Sequence, residues 1–444
     1  MRFPWNLAFV VLALASRSLQ AEVPLDSSFA GDGRQAVAFD VGASKADIGQ
    51  KIFAAPGGGY FVAGFAQTTA YNGREFALAK LGADGAVVAS SHIETLFSSI
   101  QAIAMDSQSR FVVVGTLPAN PGPGSDLLVM RFLPNGQIDG SFGFFGLTSF
   151  DLEAYDEPLA VATTPGDHIV LVFRTSNDGA NWINGYVMAY DQSGALRSTN
   201  QPVGLPIETA ALAWSAARGR MLAAIGRDDC TLRVDSVAVT VTTSVSLSRS
   251  MLLAQDLPDA PLACSADVSA TAVMPDAAGQ GFMVAGYVRD VNLAEGGNRM
   301  GWVVRVGADN LFDAGFAGNG GRIDLPPFPW DDLRYFSLAR DGEGRLLAGG
   351  QFGHSSGSAQ LFAVRRYSAA GVPDTSFGPA GESFVSTTFS GLGGTNALSY
   401  GRDVLVDGER ILLAGSRLWS SGDFDFAIAA WKSPSPLLFD DGFE

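Results

Sequence analysis

From residue 22 to residue 432 the chain alternates short apolar runs with turn residues, and the runs have the length of strands rather than helices. One run recurs with glycine at or near its end: YFVAG at 60–64, FVVVG at 111–115, MLAAIG at 221–226, FMVAG at 282–286, RLLAGG at 345–350 and ILLAG at 411–415. HIVLVF at 168–173 fills the missing third place, with Phe173 where the glycine would stand. Ahead of most copies comes an apolar stretch ending in a Pro, Gly, Asp or Ser turn, as in IFAAPGGG and LARDGEG, which reads as a hairpin. Beyond most copies, past a longer polar loop, lies a third stretch such as EFALAKLGADG or LFAVRRYSAAG. A fourth segment follows, of the type LDSSFAGDG, IDGSFGFFG, FDAGFAGNG or PDTSFGPAG.

Four strands per unit, repeated every 60 residues or so, predict an all-β fold: a seven-bladed β-propeller of four-stranded antiparallel blades, with 22–432 as one domain. The recurring glycines are taken as Gly64, Gly115, Gly226, Gly286, Gly349 and Gly415. No 3.6-residue periodicity supplies the helices that a TIM barrel or Rossmann fold needs. The domain opens on a fourth-type segment with no third strand before it, and closes on the third-type FDFAIAAWK at 424–432 with no fourth after it. The strand near Arg34–Phe39 is therefore expected to complete the last blade and cover its edge.

These segments resemble the bacterial delta-60 repeat proteins, whose units run as a Leu-Asp-x-Ser-Phe-Gly segment, an alanine-rich strand opened by Asp, a Pro-Asp-Gly turn, an Ile-Val-Val-Ala-Gly strand and an Ala-Leu-Ala-Arg-Tyr strand. The likeness runs from Leu25 to Lys432 and is weakest at 200–263, which lacks the Leu-Asp-x-x-Phe segment and the turn. It implies an exported bacterial propeller and carries over no catalytic residues.

Composition adds a compartment and removes some partners. Arg2, the apolar run LAFVVLALA at 7–15 and the small-residue end at Ala21 form a secretory signal peptide over 1–21, so the mature chain is expected to be secreted or periplasmic. The run is well short of the ~20 residues that span a bilayer, and no later segment reaches that length, so no membrane span is expected. A net charge of -16 repels phosphate backbones and excludes nucleic acid. Cys230 and Cys264 are expected to form one disulfide in an oxidising compartment. Residues 433–444 read as a Pro/Ser linker and a short acidic tail, and the protein is taken to be a monomer.

Candidate chemistry is sparse. Nucleophile elbow, zinc-binding H-E-x-x-H, phosphate loop and EF-hand are all missing, so no catalytic residue, metal site or cofactor is assigned. Asp47, Asp156 and Asp332, with Asp267 slightly out of step, open the first strands of their units. They are read as acceptors of backbone N–H bonds at the strand start, with a Ca²⁺-holding carboxylate ring as the weaker alternative. Lys80, Arg131, Arg305 and Arg366 on third strands, and Asp26, Asp139, Asp313 and Asp374 near fourth strands, are read as scaffold ion pairs.

Long connections, including 66–75, 174–185, 287–299 and 416–423, share one face. There Tyr71, Trp182, Trp330 and Trp419 are candidates to stack on a sugar or peptide, and Asp151, Glu153, Asp331 and Asp332 to bind cations. The leading reading is a binding scaffold for a protein or an extracellular glycan. The rival is a carbohydrate-active or other hydrolytic enzyme with paired carboxylates on that face.

Overall fold

A computed structural model describes residues 23–41, 46–68, 73–119, 124–202, 207–226, 231–241, 245–257, 268–276, 279–289, 299–327, 329–389, 398–420 and 422–433. The signal-peptide segment, Tyr71, Cys230, Asp267, Cys264 and most of the C-terminal tail lie outside the described residues.

The described chain is all-β, with a single 3₁₀ turn at Pro379–Gly381 and no α-helix among the described residues. β1 (Arg34–Val37) stands first. Four-strand runs follow, beginning with β2 (Asp47–Ala54), β3 (Tyr60–Gln67), β4 (Arg74–Leu81) and β5 (Val87–Ile93). Next come β6 (Ser99–Met105), β7 (Phe111–Pro118), β8 (Ser125–Phe132) and β9 (Leu147–Phe150), then β10 (Tyr155–Thr163), β11 (Ile169–Ser176), β12 (Trp182–Tyr190) and β13 (Leu196–Pro202). The fourth run is β14 (Thr209–Ser215), β15 (Arg220–Gly226), β16 (Thr231–Val241) and β17 (Val245–Asp256). The fifth is β18 (Val268–Pro275), β19 (Phe282–Arg289), β20 (Arg299–Val306) and β21 (Gly321–Asp324). The sixth is β22 (Asp332–Arg340), β23 (Leu346–Gly353), β24 (Gln360–Tyr367) and β25 (Phe384–Thr387). Last come β26 (Ser399–Asp407), β27 (Arg410–Ser420) and β28 (Asp423–Lys432).

Within each run neighbouring strands pair antiparallel, and β1 pairs β28 from Arg34↔Ala429 to Val37↔Phe426. Parallel bridges at Tyr155↔Ser125 and Arg299↔Asp332 join two adjacent runs in each of two places. The leading strands β2, β6, β10, β14, β18, β22 and β26 pack each against the next, and β26 packs against β2. Apolar clusters fill the spaces between successive sheets. Phe61, Phe76, Phe111 and Phe132 pack between the first and second, and Val62, Ala79, Leu412 and Phe426 between the last and the first.

The strand glycine has a specific cause. In six leading strands the register slips by one residue, as between Gly49 and Lys51 in β2 and between Ile100 and Ala102 in β6. The residue opposite the slip, Gly64 or Gly115, lies so close to the leading strand that a Cβ would overlap the carbonyl oxygen of Ile48 or Ser99. Bulge and glycine are thus one device. In the sixth unit the position that pairs Tyr335 at the slip is Gly350, so the repeat's glycine is Gly350 and not Gly349. The fourth unit has no slip, and β14 and β15 stay in register from Thr209↔Gly226 to Ser215↔Arg220.

The long connections are shorter than the sequence implies. β27 runs on to Ser420 and β28 starts at Asp423, so most of 416–423 is strand and Trp419 sits within it. In the third unit Trp182 opens β12. The preceding turn is closed by Ser176 Oγ, which accepts the Gly179 N–H, and by Asp178, which accepts the Ala180 and Asn181 N–H groups.

Candidate functional site

Each bulge sets two residues against one and re-aims the extra side chain. The extra residues are Gln50, Gln101, Leu159, Thr271, Phe336 and Arg402, and all six line a single cavity of about 570 Å³. That volume falls in the range of small-molecule sites. β14 completes the wall with Thr209 to Leu212. The residue after the bulge on four of these strands adds a small side chain, Ala102, Ala160, Ala272 or Ser337, which leaves the space open.

Neighbouring leading strands are stitched together around this cavity. Gln50 Nε2 donates to the Ile100 carbonyl at 3.1 Å, and Thr271 Oγ1 to the Tyr335 carbonyl at 2.7 Å. Ser337 Oγ accepts the Val404 N–H at 2.8 Å, and Asp403 Oδ2 accepts the Ile52 N–H at 3.0 Å. Lys51 Nζ lies 3.0 Å from Asp403 Oδ1, so these two charges cancel. Glu208, the other acid on the wall, lies 2.9 Å from Arg174, which it shares with Glu157 at 2.8 Å.

Arg402 differs from these groups. Its guanidinium lies 4.5 Å over the Phe336 ring and makes no ion pair or hydrogen bond among the described residues. Burial, and then the nearby Arg334 guanidinium, depress its pKa, while Tyr287 and Tyr400 act the other way. Arg334 is itself fixed by Asp332, at 2.9 Å from Nε and 2.6 Å from Nη2. The amide oxygens of Gln50 and Gln101 are buried, facing away from the open space, and accept no hydrogen bond among the described residues.

Of the strand-opening aspartates, Asp47 and Asp156 behave as backbone acceptors, whereas Asp332 departs from the expectation and accepts the Arg334 guanidinium instead. Asp47 Oδ2 accepts the N–H of Phe39 at 2.6 Å and of Asp40 at 3.2 Å, and Asp156 Oδ2 that of Leu152 at 2.7 Å. Burial nevertheless raises Asp47 to about 6 and Asp156 to about 7, because these N–H bonds only partly offset desolvation and nearby carboxylates. Among the described residues no three acidic, histidine or cysteine side chains are grouped so that they could hold a metal ion. The scaffold pairs form at Arg131–Asp139, Arg366–Asp374 and Arg305–Asp313, at 2.7, 2.8 and 3.4 Å. Asp26 pairs with Arg410 of β27 at 2.7 Å instead of a third-strand base, because its segment sits beside the last sheet. Lys80 lies 5.7 Å over the Phe61 ring.

Apart from Tyr71, which lies outside the described residues, the sequence-derived aromatic and acidic candidates sit on separate connections at the same end of the sheets. Trp182 is half-buried under Arg174 at 4.0 Å, Trp419 is exposed beside Arg417, and Trp330 packs on Phe352 and His354. Asp331 accepts the Ser355 N–H and hydroxyl, and Asp332 is committed to Arg334. Asp151 is exposed next to Asp126 and Asp156, whose pKa values it helps to raise, and Glu153 is half-buried. The bulge residues were not singled out from sequence. Their signal is a non-repeating position at one offset ahead of Gly64, Gly115 and Gly350.

Comparison with solved structures finds a protein of unknown function from Dyadobacter fermentans DSM 18053, at 11% identity and TM-score 0.43, covering 75% of this chain and 94% of that one. The polysaccharide lyase Uly1 aligns at 11% identity and TM-score 0.47, covering 87% and 90%. A protein of unknown function from Bacteroides caccae aligns at 12% identity and TM-score 0.36, covering 70% and 94%. No curated protein matches the chain. Residues 344–377, which hold β23, β24 and the Asp374–Phe377 segment, match the model of a family described as a β-propeller domain of unknown function, DUF5122.

Proposed function

We propose that the chain is an exported, monomeric seven-bladed propeller of the delta-60 repeat type, closed by β1 on the last blade, and that it works as a binding scaffold. The packing of β26 on β2 and the apolar cluster between the last and first sheets support closure. Export rests on the 1–21 segment, and a Cys230–Cys264 disulfide belongs to the same reading. The observation that carries the function is the convergence of six bulge side chains of five different types on one cavity in an otherwise repetitive chain. Its ligand is a protein or an extracellular glycan approaching from the long-connection face, past Trp182, Trp330 and Trp419.

Hydrolysis is less well supported. The acids on the cavity wall, Asp403 and Glu208, are each held by a cation, and Asp156 is wholly buried behind backbone N–H groups. The test is a glycan array and a pull-down with the mature protein, repeated with Trp182→Ala/Trp419→Ala. The reading expects capture that weakens at least tenfold in the double variant, and unchanged affinity would move the site off that face.

A further inference from the structure

We propose that the open edge of β5 takes up an extended, basic segment of a partner protein as one more strand of the first sheet. This surface lies on an outer strand, apart from the cavity, and does not depend on what the cavity holds.

An outer strand offers a row of unpaired N–H and C=O groups to any passing chain, and the other outer strands of this fold are defended. β1, β9, β21 and β25 are only four residues long, while β13 and β17 pack against each other. β5 has neither defence. It stands last in the order β2-β3-β4-β5, and its sequence Val87-Val88-Ala89-Ser90-Ser91-His92-Ile93 holds no proline, glycine, lysine, arginine or acid. Val87 to Ser90 are exposed. Val88 is the extra residue where the register slips against Lys80 and Leu81, and from Ala89 to Ile93 the ladder with β4 is regular. Alternate residues of that stretch turn their N–H and C=O away from β4, and among the described residues no other backbone group bonds to them.

Charge selects the occupant. Asp84, in the turn before β5, and Glu94, just after it, are both exposed, one at either end of the edge. The cations nearby are turned elsewhere. Lys80 lies over Phe61 at 5.7 Å, Arg74 over Phe65 at 4.2 Å, and Arg410, which reaches the Ala83 carbonyl, is held by Asp26 at 2.7 Å. His92, in the strand itself, is engaged by Glu75 at 2.5 Å. With a net charge of -16 behind them, two carboxylates a strand length apart suit a segment with Lys or Arg near each end, and the same field repels a second copy of the chain. Ala89, Ser90 and Ser91 are short, so the added strand is held mainly by backbone hydrogen bonds, as when a peptide extends a sheet.

The test titrates the mature protein, by fluorescence anisotropy, with a labelled peptide of sequence Lys-Thr-Val-Thr-Val-Thr-Lys. A copy with Glu in place of Lys reverses the charge, and two copies N-methylated at alternate residues, one in each phase, remove the donors of one edge or the other. The Lys peptide is expected to bind at least tenfold tighter than the Glu copy, one methylated copy to lose at least tenfold, and amide hydrogen exchange to slow within 87–93. Asp84→Asn/Glu94→Gln should weaken binding at least fivefold and melt as the wild type does, since both side chains are exposed. Should that variant fold poorly, raising the ionic strength on the wild type removes the same attraction and is expected to weaken binding likewise. The proposal is overturned if the Lys peptide shows no saturable binding up to about 1 mM, if the Glu copy or both methylated copies bind as well as it does, or if the slowed exchange falls outside 87–93. A protein that sediments as a dimer, split by Val88→Lys at a position 63% exposed, would give the edge to a second copy and overturn it as well. The glycan and protein screen with Trp182→Ala/Trp419→Ala reports on another face, so its failure would leave this titration readable.

Discussion

At the short-turn end of the sheets the units are copies of one another. Asp139 accepts the Ser141 hydroxyl at 2.6 Å and Arg131 at 2.7 Å, with that guanidinium 4.8 Å over Phe142. Asp374, Ser376, Arg366 and Phe377 repeat the arrangement at 2.6, 2.8 and 4.3 Å, and Asp26, Ser28, Arg410 and Phe29 at 2.5, 2.7 and 5.6 Å. Phe29, Phe142 and Phe316 each lie under a turn glycine of the following unit, Gly85, Gly194 and Gly371. Deeper in the cavity the same backbone device, the bulge, carries five different side chains over the six units that have it: Gln, Gln, Leu, Thr, Phe and Arg. A contact copied in unit after unit serves what the units share, which is docking to the next sheet. A position that keeps its geometry and varies its chemistry serves something outside the repeat.

The contrast is sharpest where it can be broken. Deleting residues 22–40 removes β1 and the Asp26 staple and exposes the β28 edge, so the melting temperature should fall by ten degrees or more with aggregation, while deleting 437–444 should change neither. Scanning calorimetry of both truncations checks this, and equal melting would contradict closure. Asp139→Ala should cost roughly 3–5 kcal/mol in urea unfolding, because it leaves the buried Arg131 unpaired.

Asp156→Asn probes pH. Its folded pKa, raised to about 7 from 3.8, means that the stability it contributes is present below pH 4 and lost as pH climbs through 7. The Asn variant should therefore match the wild type near pH 4.5 and gain on it by up to roughly 4 kcal/mol at pH 8, at ~1.4 kcal/mol per unit. Parallel denaturant melts at the two pH values give the difference, and a gain that shrank with rising pH would contradict the assignment.

How much of this was legible follows the same division. The strands, turns and Arg–Asp partners at the short-turn end announce themselves because repetition multiplies each signal: Asp139 and Ser141 are seen again as Asp374 and Ser376. Asp47 and Asp156 were readable as backbone acceptors from turn chemistry alone, but Asp332, read the same way, is held by Arg334. The bulge was not, since it inserts one residue into a period-two pattern and looks like noise in any one strand. Conspicuous tryptophans drew attention to the rim instead, although Trp330 is engaged by Phe352 and His354. Arg402 gave no signal because its property is the lack of a counter-ion, which exists only once the strands are assembled. The length of 416–423 was overestimated because polar residues can continue an exposed strand pair as readily as they form a loop.

The division between scaffold and site is tested most directly by replacing Gln50, Gln101, Thr271 and Arg402 together with alanine and measuring both the melting temperature and the capture found by the glycan array and pull-down. The account predicts a fold that melts within about 5 °C of the wild type, since only two of these side chains bond to a neighbouring strand, and a complete loss of that capture. A variant that bound as before, or one that unfolded as badly as the loss of β1, would show that these residues are not the unrepeated site the comparison makes them.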